Sequence, residues 1–285
     1  MTKPGRIAKA AARDDAVRQA VAVMQNGRPV EAERMLRDLL SAGPRLPTVL
    51  HALGLALLQQ RRAGEAVAPL AEAARQGADP VIETNLAVAL DQSGQTGEAM
   101  AWLERAVTRQ PPFAPAFREL GALLLSQRRL DEAQAVLERG LAVAPQLVEL
   151  SVVLGGVQLE RGDWDGARLA FARVLANVPG HPGALFGIGS ALMQEGDFER
   201  AAERFRQALA RDPSDFQARL SLGACLLELR RWDEGLASLR AAVETVPLAY
   251  AMALKILVTS ARGRFWLKPS AAVQLLRPAR SALRS

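Results

Sequence analysis

Along most of this chain, short apolar stretches at helical spacing recur at a fixed interval. Leu53-Gly54, Leu86-Ala87, Leu120-Gly121, Leu154-Gly155, Ile188-Gly189 and Leu222-Gly223 each set a large apolar residue beside a small one. Roughly a dozen residues further on comes a second small residue: Ala32, Ala66, Ala99, Ala133, Ala167, Ala201 and Gly235. Leu36, Leu70, Leu103, Leu137, Phe171, Phe205 and Leu239 follow one helical turn later on the same face. Each period therefore predicts two amphipathic helices. The small residues let them approach closely while the large ones fill the space between.

The punctuation agrees with that reading. Gly27, Gly94, Gly162 and Gly196 mark the turn where a first helix ends. Pro44, Pro111, Pro145, Pro179, Pro213 and Pro247 close the units, because Pro lacks an N–H and disfavours helix in the residue before it. Aligned on these marks, units start near Arg13, Pro47, Pro80, Ala114, Val148, Pro182 and Phe216, spaced by 33 or 34 residues. The first unit departs, with Gln19-Ala20 in place of the large–small pair, and the second has Ala78 where a closing Pro belongs.

With this period and these marker residues, the sequence resembles tetratricopeptide repeat proteins over roughly residues 13 to 249. The resemblance implies an all-α, right-handed superhelical solenoid of about seven helical hairpins. Residues 1–12 read as a basic N-terminal extension, and 250–285 as a degenerate repeat or capping helix with a basic tail. Tyr250 to Ala261 still reads as a first helix, and a short helix is expected from Ser270 as N-cap. Such a terminal unit covers the last exposed apolar face of a repeat array.

The resemblance also implies a concave face lined by the first helix of each hairpin. Its lining is Val17, Val21 and Met24; His51, Leu55 and Leu58; Thr84, Asn85, Val88 and Asp91. Further along come Arg118, Ala122 and Leu125; Val152, Gly156 and Leu159; Phe186, Ser190 and Met193; Leu220, Ala224 and Leu227. The strip is mostly apolar, and a continuous apolar strip is normally covered. A partner peptide or amphipathic helix, the chain's own tail, a second copy, or adjacent hairpins are the readings it admits. Chaperone-binding members of the family grip a terminal carboxylate with Lys, Asn and Arg. Here Asn85 and Arg118 lie on suitable helices, but the Lys and the second Asn are missing.

Composition then narrows the class. Aromatics are scarce and the apolar half of the chain is mainly Ala, Leu and Val; Ala and Leu are strong helix formers, so the composition leans all-α. A single cysteine, Cys225, rules out an intrachain disulfide and any multi-cysteine metal site. The N-terminus lacks the apolar core of a secretory signal, and no stretch approaches a membrane span, so a cytoplasmic location is expected. Charge is unevenly spread. Met1–Arg13 and Thr245–Ser285 together carry eleven basic residues and no acidic one, which leaves the stretch between them net negative by five. An acidic body of this kind is not a nucleic-acid surface. Arg264, Phe265, Trp266 and Lys268 combine aromatic anchors with cations, the one segment suited to a membrane or an anionic partner.

No constellation carries catalysis. Gly187-Ile-Gly189 lacks the preceding strand and third glycine of a phosphate loop. Asp163-Trp-Asp165-Gly166 lacks the remaining ligands of a calcium loop. His51 and His181, the only histidines, have no ligand partner at metal spacing. Asp131-Glu132 and Asp233-Glu234 fall at the starts of second helices, where they complement the dipole. The expectation is a non-enzymatic scaffold without cofactor or metal, whose partner is another protein. Self-association, a membrane-surface assembly role through the tail, and service beside a separate transferase are the alternatives.

Overall fold

A computed structural model of the chain describes residues 3–259 and 267–276. It is an all-α repeat fold. Its helices are α1 (Lys3–Gln25), α2 (Pro29–Ser41), α3 (Pro47–Gln59), α4 (Ala63–Gln76), α5 (Pro80–Gln92), α6 (Thr96–Ala106), α7 (Ala114–Ser126) and α8 (Leu130–Val143). They continue with α9 (Val148–Arg161), α10 (Trp164–Asn177), α11 (Pro182–Glu195), α12 (Phe198–Arg211), α13 (Phe216–Glu228) and α14 (Trp232–Thr245). A 3-10 turn at Pro247–Ala249 leads into α15 (Tyr250–Val258), and α16 (Pro269–Leu276) follows. First helices thus begin at Pro47, Pro80, Ala114, Val148, Pro182 and Phe216, the positions the 34-residue register marks. Three boundaries differ from the sequence expectation. Helix α15 ends at Val258, with Thr259 already extended, where the sequence predicts a helix to Ala261. Helix α1 already runs from Lys3, since Pro4 falls in its first turn, where the missing N–H would have no helical partner. Helix α16 starts one residue earlier than expected, at Pro269, since Pro is well suited to a first helical position.

The chain divides into two compact units. Met1–Gln127 with Glu138–Ala144 forms the N-terminal unit, and Arg128–Leu137 with Pro145–Ser285 forms the C-terminal unit. In the N-terminal unit the core is mainly aliphatic: Leu36, Leu50, Leu57, Leu70, Leu86 and Leu90 are buried with several alanines, and Phe117 is its buried phenylalanine among the described residues. Two carboxylates are buried in it. Glu83 is fully enclosed and takes Arg109 at 2.6 and 3.1 Å and Arg105 at 3.3 Å. Glu33 accepts from Gln60, Arg37 and Arg62; burial pushes its carboxyl pKa up, but these three donors outweigh that and hold it below the usual value. Arg13 turns back from α1 and donates to the Leu39 and Pro44 carbonyls at 2.7 Å, so this basic residue satisfies the end of α2.

In the C-terminal unit phenylalanines take over the interior. Phe171, Phe198 and Phe205 are buried with Ile188, Leu192 and Leu226. The large residue of each second helix lies over the small residue of the first. A Cβ added to Gly155 would stand 2.6 Å from Phe171, and one on Gly223 would stand 2.7 Å from Leu239. Phe171, larger than the Leu at this place in the first four hairpins, also lies against Gly187, where an added Cβ would run into its ring. The glycine pair Gly187 and Gly189 is therefore a packing device within α11. At the C-terminal end, Leu257, Ala272 and Leu276 join Leu220, Leu227 and Leu239 in one buried cluster, so α15 and α16 cover the apolar side of α13 and α14.

The turns inside hairpins have two solutions. Gly27, Gly94, Gly162 and Gly196 take the left-handed conformation that glycine adopts freely. At the equivalent place the other turns use Arg61, Arg128 and Arg230, also left-handed, with φ near 60°. In these turns the next arginine forks onto a glutamate in the first turn of the following helix. Arg62–Glu65, Arg129–Glu132 and Arg231–Glu234 each make two bonds of 2.6–2.7 Å.

Candidate functional site

The residues expected to line the first-helix face divide by unit, and each half has its own chemistry. In the N-terminal unit Val17, Val21, His51, Leu55, Leu58, Asn85, Val88, Arg118, Ala122 and Leu125 are partly exposed and Asp91 is exposed. Met24 and Thr84 are buried instead, and the Thr84 hydroxyl donates to the Pro80 carbonyl at 2.6 Å within its own helix. The polar groups on this face bind one another. The Asn85 amide donates to His51 Nε2 at 2.8 Å, which ties α5 to α3. Burial lowers the His51 pKa, opposed in part by the Asp79 charge, so the ring stays neutral and can accept that bond. Arg118 pairs with Glu119. Both groups that a carboxylate clamp would use are thus engaged within the fold. The recess beside Val88, Asp91 and Ala122 is small, about 180 Å³.

The C-terminal unit holds an open cavity of about 850 Å³ among α11, α13 and α15. Helix α11 contributes Phe186 and Met193, and α13 contributes Gln217, Leu220, Ser221, Ala224 and Glu228 along one stripe. Helix α15 contributes Met252, Lys255 and Ile256 at helical spacing, Thr259 follows just past its end, and Glu195 and Phe198 close one side. Phe186 is held by the ring of Phe205, with centroids 5.4 Å apart. Ser190 turns its hydroxyl onto the Phe186 carbonyl at 3.0 Å. Leu227 is fully buried against Gly235, inside its hairpin, and Leu220 shows only its edge to the cavity. Val152, Gly156 and Leu159 on α9 are partly exposed and do not reach this cavity.

The structure thus brings Phe186, Met193, Leu220 and Ala224 together, and adds a wall that the sequence reading assigned wholly to a cap. That wall was legible in principle. Met252, Lys255, Ile256 and Thr259 follow the i, i+3, i+4, i+7 pattern of a helix face. Of the segment suited to a membrane or anionic contact, Arg264, Phe265 and Trp266 lie outside the described residues. Lys268 is exposed and its carbonyl accepts from Ala271 and Ala272 to start α16. No helix among the described residues is long and apolar enough to cross a membrane.

The remaining constellations have structural uses. Asp163 accepts from the Gly166 amide at 2.9 Å as an N-cap, and Asp165 pairs with Arg168. His181 caps α11 by accepting from Ala184. Cys225 is buried, and burial together with the Glu228 charge pushes its thiol pKa up to about 12, so it stays protonated. Among the described residues no cluster of three or more His, Cys, Asp or Glu could hold a metal ion.

Comparison with known proteins places this geometry. Residues 17–80, 118–182 and 186–250 match one tetratricopeptide repeat family description, and 84–113 match a second. No curated protein matches the chain by sequence. Among solved structures, a chain of the APC/C hetero-tetramer Cut9–Hcn1 superposes with a TM-score of 0.71 at 16% identity, covering 84% of this chain. The chain spans about half the length of that protein, 47%. A tetratricopeptide repeat protein from Parabacteroides merdae superposes at 0.66 with 16% identity, covering 93% of this chain and 98% of that one. Human IFIT1, a dimer with m7Gppp-AAAA, superposes at 0.67 with 15% identity, over 86% of this chain and 62% of its own.

Proposed function

The chain belongs to the tetratricopeptide repeat family, and from that premise we propose that it is a non-enzymatic adaptor that seats an apolar segment of a partner protein between α11, α13 and α15. The observation that carries this reading is the 850 Å³ cavity, whose size and mostly apolar lining suit side chains inserted from outside. Met193 and Met252 line it, and Met252 is 48% exposed. Unbranched thioether side chains adjust to differently shaped apolar groups, which suits a docking surface. The N-terminal face offers less, because its polar groups are mutually bonded and its recess is small.

Cut9 is assembled with Hcn1 in the structure this chain resembles, and IFIT1 holds a capped RNA. The cavity favours the first kind of partner. Binding of a nucleic-acid strand calls for a track of cations beside stacking aromatics, whereas this cavity has one lysine and a methionine-rich floor.

Selection of a displayed library of 16-residue peptides on the purified protein tests the reading. We expect enriched peptides to carry two apolar side chains at helical spacing. Met252→Glu, at an exposed position, should weaken the best of them by roughly 30-fold, the loss of one well-buried contact. Leu169→Glu, on the exposed side of α10, should leave binding unchanged. Equal binding to the Met252→Glu protein would overturn the docking site.

A further inference from the structure

Resting on that docking reading, we infer that the segment seated in the cavity carries a carboxylate beside its apolar anchors, and that Lys255 receives it. Three charged side chains line the cavity: Glu195, Glu228 and Lys255. Glu195 is paired with Arg168 on α10. Glu228 is engaged within the fold and its charge acts on the buried Cys225. Lys255 is exposed, and among the described residues it makes no ion pair. Among the described residues, the lining charge left open to a ligand is therefore the positive one, Lys255.

The sequence around Lys255 reinforces this. From Thr245 to Ser285 the chain has seven basic residues and no acidic one. Helix α15 and the segment after it therefore supply no carboxylate of their own to neutralise the wall they build. Lys255 stands on the same stripe as Met252 and Ile256, one residue before the latter and three after the former. A helix that buries apolar side chains against Met252 and Ile256 brings a residue one turn away over the Lys255 ammonium. An acidic residue there completes the pairing, and a basic one is repelled. An amphipathic helix with Leu-type anchors and a flanking Asp or Glu is the ligand this rim selects.

Lys255 also lies in the last turn of α15, where a cation favours the helix dipole. That structural role predicts a small loss of stability on substitution and no change in which peptides bind. The choice of peptide is the readout that separates the two roles.

The peptide library provides the test, run in parallel on the wild-type protein and on Lys255→Glu. We expect Asp or Glu to be enriched one turn from the apolar pair on the wild type, and Lys or Arg to replace it on the variant. The best wild-type peptide should lose about tenfold in affinity for Lys255→Glu, and regain it when its acidic residue is exchanged for Lys. Raised salt should shrink both effects. Apolar peptides without an acidic preference, or identical peptides from both proteins, overturn this assignment and leave the docking site standing. Failure of Met252→Glu to weaken binding removes the docking site and this assignment with it. Co-sedimentation of the wild type with phosphatidylglycerol vesicles, abolished by Lys255→Glu and without any acidic preference among peptides, would instead give the lysine to a lipid headgroup.

Discussion

In the N-terminal unit the deeply buried polar side chains include two ionised ones, Glu33 and Glu83, each surrounded by arginines. In the C-terminal unit they are neutral, Ser151 and Gln158, and the space is filled by phenylalanines. The faces presented by the first helices differ in the same sense. His51, Asn85, Arg118 and Glu119 bond among themselves on one, while Phe186, Met193 and Met252 are left open on the other. One repeat register therefore carries two kinds of interior. The first is held by directional bonds that must all be made, the second by shape. The cavity among α11, α13 and α15 lies in the unit with the shape-filled interior.

The largest expected effect breaks the ionic interior. Arg109 donates two bonds to Glu83, whose carboxylate has no exposed surface. Arg109→Met should destabilise the N-terminal unit by about 3–5 kcal/mol, because it strands a buried charge and does not merely delete a pair. Adding Glu83→Gln should restore most of that loss. Hydrogen exchange resolved to the amides of α5 and α6 would report both. Full protection in the single variant would mean that the pair is dispensable.

Next in size is the shape-filled interior. Gly187→Ala places a methyl group against the Phe171 ring, which is itself wedged between Gly155 and Gly187. We expect a loss of about 1–3 kcal/mol from overpacking, confined to the C-terminal unit and measured by urea unfolding. Phe171→Leu should relieve it, since where the preceding hairpin has Leu70, Leu103 or Leu137 the position of Gly187 holds a larger residue: Asn85, Glu119 and Val153. Absence of coupling between the two substitutions would disprove the wedge.

These cases show what the sequence could and could not disclose. Hairpin number, helix starts and the small–large packing pairs were legible, because every hairpin repeats the same steric problem and periodicity reports it. The ion pairs of Glu83 were not. They join residues 22 and 26 apart, outside the repeat, and nothing in the spacing of Arg105 and Arg109 singles them out. The cavity was half legible. Phe186 and Met193 follow the register, but α15 turns a different stripe inward from that of the hairpins before it, so Met252 and Lys255 escaped a reading that extrapolated the pattern. Met24, Thr84 and Leu227 hold the register position of the groove face but are buried, which periodicity alone does not report.

A smaller effect is expected where the register is broken by one residue. Gln158 stands where other hairpins bury Leu57, Leu90, Leu124, Leu192 and Leu226, and its Oε1 has no hydrogen-bond partner among the described residues. Gln158→Leu should stabilise the C-terminal unit by about 1–2 kcal/mol, by removing an unmatched acceptor and restoring apolar contact. A loss of stability on urea unfolding would show that the amide is needed where it is.

The smallest effect concerns the turns, and it tests whether the contrast between units extends beyond their interiors. Arg61 in the N-terminal unit and Arg230 in the C-terminal unit both occupy the left-handed conformation that strains a side-chain-bearing residue. Arg61→Gly and Arg230→Gly should each add under about 1 kcal/mol, because relief of strain is offset by the greater freedom glycine gains on unfolding. The forks Arg62–Glu65 and Arg231–Glu234 are untouched by either change. Gly196→Arg should move stability the opposite way by a similar amount. Since the turn geometry is shared, the two glycine substitutions should agree in sign and size when thermal unfolding is followed for each unit. A gain in one and a loss in the other would mean that the difference between the units reaches into their turns, and that the arginines there do more than end a helix.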